Sequence, residues 1–131
     1  MVARFGVTPV PFACEDDDGA SDVSAVVKKR AIRCALSRVC GMCGQTLTRP
    51  IAFLGPEAEA QTGRFVFPPM HLECAQSAAA SLAPGAGLGH EFVSGPWALV
   101  TTGGFDLIRP TRRGDAVHFH PNSVLDTIWT N

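Results

Sequence analysis

Two short stretches decide how this chain is read: Arg38-Val39-Cys40-Gly41-Met42-Cys43-Gly44 and Pro68-Pro69-Met70-His71-Leu72-Glu73-Cys74-Ala75. Each carries a pair of soft or borderline ligands three positions apart, and 27 residues separate Cys43 from His71. A Cys-x-x-Cys turn offers two sulfurs from one knuckle, and glycines within and after it let backbone amides turn toward them. His71 and Cys74, three apart at a helix start, project from one face. The helix N-terminus also favours negative charge on the Cys74 thiolate. Four nitrogen and sulfur ligands are what tetrahedral zinc takes. The spacing therefore predicts one structural zinc held by Cys40, Cys43, His71 and Cys74. Four protein ligands leave no open position for a reacting water, which argues against a catalytic zinc. The competing reading is a redox dithiol at Cys40 and Cys43 with His71 in the core. It leaves the second ligand pair as a coincidence.

Between the two pairs, Ile51–Leu54 and Arg64–Phe67 read as strands joined by a polar loop from Gly55 to Gly63. Pro68 and Pro69 stop the second strand. Knuckle, β-hairpin, then a helix bearing the last two ligands is the order of a treble-clef zinc finger. The second helix is expected from His71 to about Ala83, since Leu72, Ala75, Ala79 and Leu82 recur at helical spacing. Pro84-Gly85 ends it. The glycine-rich stretch that follows lacks the Lys-Ser/Thr ending of a phosphate-binding loop.

Upstream, Ser21 can cap a helix running to about Arg38. Its apolar side holds Val27, Ala31, Cys34 and Ala35, and its other side Lys29, Arg30 and Arg33. Residues 1–20 read as a loosely structured arm, with Phe5, Val7, Val10 and Phe12 spaced as in an edge strand. Residues 21–131 read as one zinc-stabilised domain. Downstream, Trp97–Thr102, Phe105–Arg109, Ala116–His120 and Val124–Thr130 read as an antiparallel β-meander. The expected class is α+β.

The chain has 131 residues, enough for one modest core, and 46% of them are apolar. No apolar run approaches the ~18 residues of a membrane span, and residues 1–12 lack the core of a signal peptide. A soluble, cytoplasmic protein is expected. Five cysteines, two of them as Cys-x-x-Cys, point in a reducing compartment to metal or redox chemistry. Cys34 is expected as a small core residue, and Cys14 has no partner at ligand spacing.

Charge is unevenly spread. Glu15 to Asp18 is an acidic run, while Lys28, Lys29, Arg30, Arg33, Arg38 and Arg49 fall in a stretch with no acid between Asp22 and Glu57. Lys29, Arg30 and Arg33 are thus candidate binding residues for nucleic acid or an acidic protein. The plain alternative is a solvated helix face.

His118 and His120 share one face of a strand, a usable acid/base or metal pair. His90, Glu91, Asp106 and Asp115 are candidate third members. A polar face is equally normal for an antiparallel sheet. No Gly-x-Ser-x-Gly elbow supports a serine nucleophile. Trp97 and Trp129 sit among apolar neighbours and are expected in the core. With no tyrosine, few residues remain for base stacking.

Arg38 to Gly44 and Pro68 to Ala75 together resemble a group of small, uncharacterised treble-clef zinc-finger proteins of actinobacteria and their phages. The resemblance spans roughly residues 24–130 and implies metal ligands at Cys40, Cys43, His71 and Cys74, with no activity attached. The chain departs from the pattern at Ala83-Pro84, where that group would carry Cys-Pro. The leading expectation is a zinc-stabilised binding or accessory module presenting a basic helix. The alternative is a small enzyme acting on a small-molecule substrate around His118 and His120.

Overall fold

The computed structural model describes residues 11–15, 26–81, 96–112 and 114–130. Its strands are β1 (Ile51–Pro56), β2 (Met70–His71), β3 (Trp97–Thr102), β4 (Phe105–Ile108), β5 (His118–Pro121) and β6 (Val124–Thr130). Its helices are α1 (Lys28–Ser37), α2 (Glu57–Thr62) and α3 (Leu72–Ser81), with a 3-10 turn at Phe12–Cys14. The class is α+β, as expected.

β1 and the Trp97–Val100 part of β3 are apolar runs because both of their faces are buried. They form the centre of an antiparallel sheet ordered β2-β1-β3-β6. On one face Ala52, Leu54, Trp97 and Leu99 pack with Phe67, Met70, Ala75, Ala78 and Cys40, so α3 and the cysteine knuckle cover that side. On the other face Ile51, Phe53, Ala98 and Val100 pack with Ala31, Phe65, Val117 and Phe119. Phe53 centres an aromatic cluster, with Phe65 at 5.5 Å, Phe105 at 5.8 Å and Phe119 at 6.1 Å between ring centroids. Offset and edge-on ring pairs of this kind add to plain area burial.

The last third is not a meander. β4 pairs with β5, and β6 returns to pair with β3. Thr102 faces Val124 and Phe105 faces Pro121, so the two ladders share one register. Gly103 N–H to Ser123 O (3.1 Å) and Asn122 N–H to Gly104 O (3.1 Å) carry the ladder across the gap. The arrangement is therefore one long hairpin, bent at Gly103-Gly104, with a bulge at Leu125. The bend lets the tip fold over the aromatic cluster while the base extends the main sheet.

Three local expectations change. The segment from Gly55 to Gly63 is not a loop: β1 runs through Pro56 and α2 follows at once. Arg64–Phe67 is not a regular strand. Phe65 exchanges two backbone bonds of 2.8 Å with Phe119 instead of joining β1. Pro68 and Pro69, which have no N–H, delay pairing with β1 until Met70. The first helix begins at Lys28, because Val27 is extended and gives its N–H to Ala13 O at 2.8 Å. The expected cap at Ser21, and the strand-like spacing of Phe5, Val7 and Val10, lie outside the described residues. Pro11, Ala13 and Cys14 are buried, so this part of the arm is integral to the fold. Cys34 is fully buried, as expected.

Candidate metal centre

The knuckle is built by the backbone. Gly44, with φ of +73°, returns its N–H to Cys40 O at 2.8 Å, and Cys40 N–H reaches Gln45 O at 2.8 Å. The Cys40 sulfur accepts from the backbone N–H of both Met42 and His71, each at 3.4 Å. A side chain at Gly44 would meet the ring of Phe12 at 2.9 Å. The 3-10 turn thus lies directly on the knuckle, tied by Phe12 N–H to Met42 O (3.1 Å) and Ala13 N–H to Gly41 O (2.9 Å).

β2 and α3 supply the other half. His71 closes β2, opposite Ile51, and Cys74 lies in the first turn of α3. The helix therefore starts one residue later than expected, since Met70 and His71 are held in the sheet. His71 Nε2 lies 2.8 Å from Thr46 O. A carbonyl only accepts, so Nε2 carries the proton and Nδ1 keeps its lone pair. That Nδ1 is 3.4 Å from Cys43 Sγ and 3.8 Å from Cys74 Sγ. Ligands on a tetrahedral zinc at about 2.0–2.3 Å stand roughly 3.6 Å apart, so these separations suit a shared ion. All four ligand atoms lie within 4.8 Å of one another, and the described residues contain no other such group.

Burial raises the thiol of Cys40, a shift its backbone N–H donors only partly offset. Cys74 is also raised, first by burial and then by the charges of Cys40 and Cys43. The thiols of Cys40 and Cys74 thus hold their protons unless a cation replaces them, which the cluster's geometry would allow.

The basic face is smaller than its sequence suggests. Arg30 Nη1 contacts Phe12 O and Glu15 Oε1, each at 3.3 Å, and its guanidinium stacks 4.5 Å above the Phe12 ring. Lys29 and Arg33 are exposed. Glu15 is the one member of the acidic run among the described residues.

His118 and His120 do not converge on a centre. His120 Nδ1 donates to Gly63 O at 2.8 Å, binding the hairpin tip to the end of α2. Asp106 stands opposite His120 in the ladder, but its carboxylate accepts from Asn122 Nδ2 at 3.2 Å. His90 and Glu91 lie outside the described residues. His120, without His118, lines an open concavity of about 420 Å³ with Phe65, Val100, Pro121, Val124 and Trp129. Trp97 is buried as expected, but Trp129 is 50% exposed. The sequence reading missed Thr46 and the Phe12 turn. Only the threonine's place three residues after the knuckle hinted at it.

No described helix is long and apolar enough to cross a membrane. Searches against protein-family models, curated proteins and solved structures found no match to this chain.

Proposed function

We propose that this chain is a zinc-stabilised binding or accessory module. The observation that carries the reading is the Cys40, Cys43, His71 and Cys74 cluster, whose ligand atoms lie within 4.8 Å of one another. Three sulfurs and one nitrogen favour zinc over harder cations. Four protein ligands complete its shell, so the ion is structural and joins the knuckle to β2 and α3. Knuckle, antiparallel strand pair and helix, in that order, support a treble clef.

Lys29 and Arg33, the latter with its guanidinium 5.6 Å from the Phe12 ring centroid, are exposed on α1 and are the cations proposed to meet a partner. With Arg30 engaged internally and a net charge of −1, the face suits an acidic protein better than nucleic acid, which rewards several phosphate contacts. Native mass spectrometry of protein purified without chelator is expected to show one zinc per chain. A folded, metal-free protein refutes the reading. An acidic peptide of Glu and Asp is expected to bind in a salt-dependent way lost in Lys29→Ala/Arg33→Ala. Stronger binding of a mixed-sequence DNA duplex would favour nucleic acid instead.

The concavity beside His120 supports a second reading, a small-molecule site. Its volume of about 420 Å³ falls in the range of such sites. Because Nδ1 is committed to Gly63, Nε2 of neutral His120 is left as an acceptor for a ligand hydroxyl. Phenol-like probes are expected to shift the His120 ring resonances under this reading, and unmoved spectra discard it.

A further inference from the structure

β6 is an outer strand of the main sheet, hydrogen-bonded to β3 on one side. Val124, Leu125, Ile128 and Trp129 along it are each at least 50% exposed. Its one charge is Asp126, and it contains no proline or lysine. Edge strands are normally protected by lysine, proline or shortness. The opposite edge obeys that rule, since β2 has only two residues. The bulge at Leu125 disturbs the start of β6, yet Asp126–Thr130 keeps a regular register with β3. A regular edge of this length, with Ile128 and Trp129 half exposed, is a template for another strand.

We infer that a second copy of this chain occupies the edge, with Asp126–Thr130 pairing antiparallel to the same segment about a two-fold axis at Ile128. The argument is one of register. A two-fold axis normal to the sheet sets one residue opposite its own mate. Centred on Asp126, it would oppose two like charges, which is destabilising. Centred on Thr127, it would set Asp126 against Ile128, and centred on Trp129, it would pair no more than Ile128–Thr130 of the strand. Centred on Ile128, it sets Ile128 against Ile128, Thr127 against Trp129 and Asp126 against Thr130. Apolar then meets apolar at the axis, the charged residue meets a polar one, and the bulge lies outside the pairing. The segment is thus complementary to itself in one register, which favours a second copy over a foreign strand. The joined sheet would run β2-β1-β3-β6-β6-β3-β1-β2. Ile128 lies on the sheet face shared with Leu99, and Trp129 on the face shared with Ala98, so the pairing shields apolar surface on both sides. The inference is independent of the basic face of α1 and of the identity of the metal.

The test uses the full chain as purified, with sedimentation equilibrium to read its mass. A dimer is expected. Ile128→Lys is expected to weaken it by about 100-fold or more, as a like-charge pair at the axis must be buried or separated. Metal content and circular dichroism should stay unchanged. Under mild oxidation Ile128→Cys is expected to cross-link, because directly opposed Cα atoms stand about 4.5–5.5 Å apart, within disulfide range. Thr127→Cys, whose mate lies diagonally at about 7–8 Å, is expected to cross-link far more slowly. The wild-type protein sets the background from its native cysteines. A monomer at every concentration overturns the inference. So does a dimer that survives Ile128→Lys, or faster cross-linking at Thr127 than at Ile128. A monomer with β6 amides protected from hydrogen exchange also overturns it, by showing that the chain covers its own edge.

Discussion

His71 gives its Nε2 proton to the carbonyl oxygen of Thr46 at 2.8 Å, and so presents Nδ1 to the sulfurs of Cys43 and Cys74. Such outer contacts fix both tautomer and ring orientation in metal sites. Long-range ¹H–¹⁵N spectra of the metal-loaded protein are expected to show Nε2 protonated and Nδ1 metal-bound. His71→Ala should weaken zinc binding by about 100-fold or more, while His71→Cys should retain a tetrahedral site.

Zinc loading should release protons. Cys40 and Cys74 hold theirs above the ordinary thiol range when no cation is present, chiefly through burial. Zinc must displace them, so calorimetry in buffers of different ionisation enthalpy is expected to show about two or more protons released near neutrality. Affinity therefore rises with pH, and acid returns the protons and expels the metal. Chelation at neutral pH should melt the knuckle and the turn docked on it, read as loss of amide protection around Cys40 and Phe12.

Gly44→Ala should be costly for two separate reasons. Its φ of +73° is one that alanine adopts only with strain, and the added methyl would lie 2.9 Å from the Phe12 ring. A loss of about 1–3 kcal/mol in denaturant unfolding is expected. Gly104→Ala makes a control of milder effect, since its new methyl would meet only the side-chain amide of Asn122. A Gly44→Ala protein as stable as wild type would show that the turn does not rest on the knuckle.

Cys34 ties stability to alkaline pH. Burial pushes its thiol from 9.0 up to about 12. The unfolded chain ionises first, so this contribution is complete below pH 9.0 and declines as pH climbs toward about 12. The decline is at most about 1.4 kcal/mol per pH unit. Cys34→Ala should remove that slope, which denaturant unfolding in mildly and strongly alkaline buffer will read. Equal slopes in both proteins would count against it.

The candidate metal ligands were legible because their chemistry is local. Cys40 with Cys43, and His71 with Cys74, each declare themselves within four residues. The strands β1 and β3 were legible as apolar runs. Their partners were not, because pairing depends on contacts distant in sequence. Phe65 reads as part of a hairpin with β1, yet its ring belongs to the cluster around Phe53, and its backbone follows to Phe119. β6 misleads in the opposite way. Val124, Leu125, Ile128 and Trp129 are the kind of apolar content that signals a covered strand, but the described structure leaves them exposed. Arg30 reads as a surface charge, because nothing in a helical pattern reveals that Phe12 and Glu15 return to meet it.

The bent hairpin also bears on the order in which the molecule assembles. Its two arms meet across a short connection, so the entropy lost in closing it is small. β1 must instead reach β3 from well upstream, and its pairing is a slower, non-local event. We expect the hairpin to gain protection first during refolding, with β1, β2 and the ligand cluster arriving together. Pulse-labelled exchange should show β3 and β6 amides protected at the same rate with and without zinc, and β1 amides only when zinc is supplied. In that sequence the metal acts as a late clasp, closing a structure whose other half has already formed.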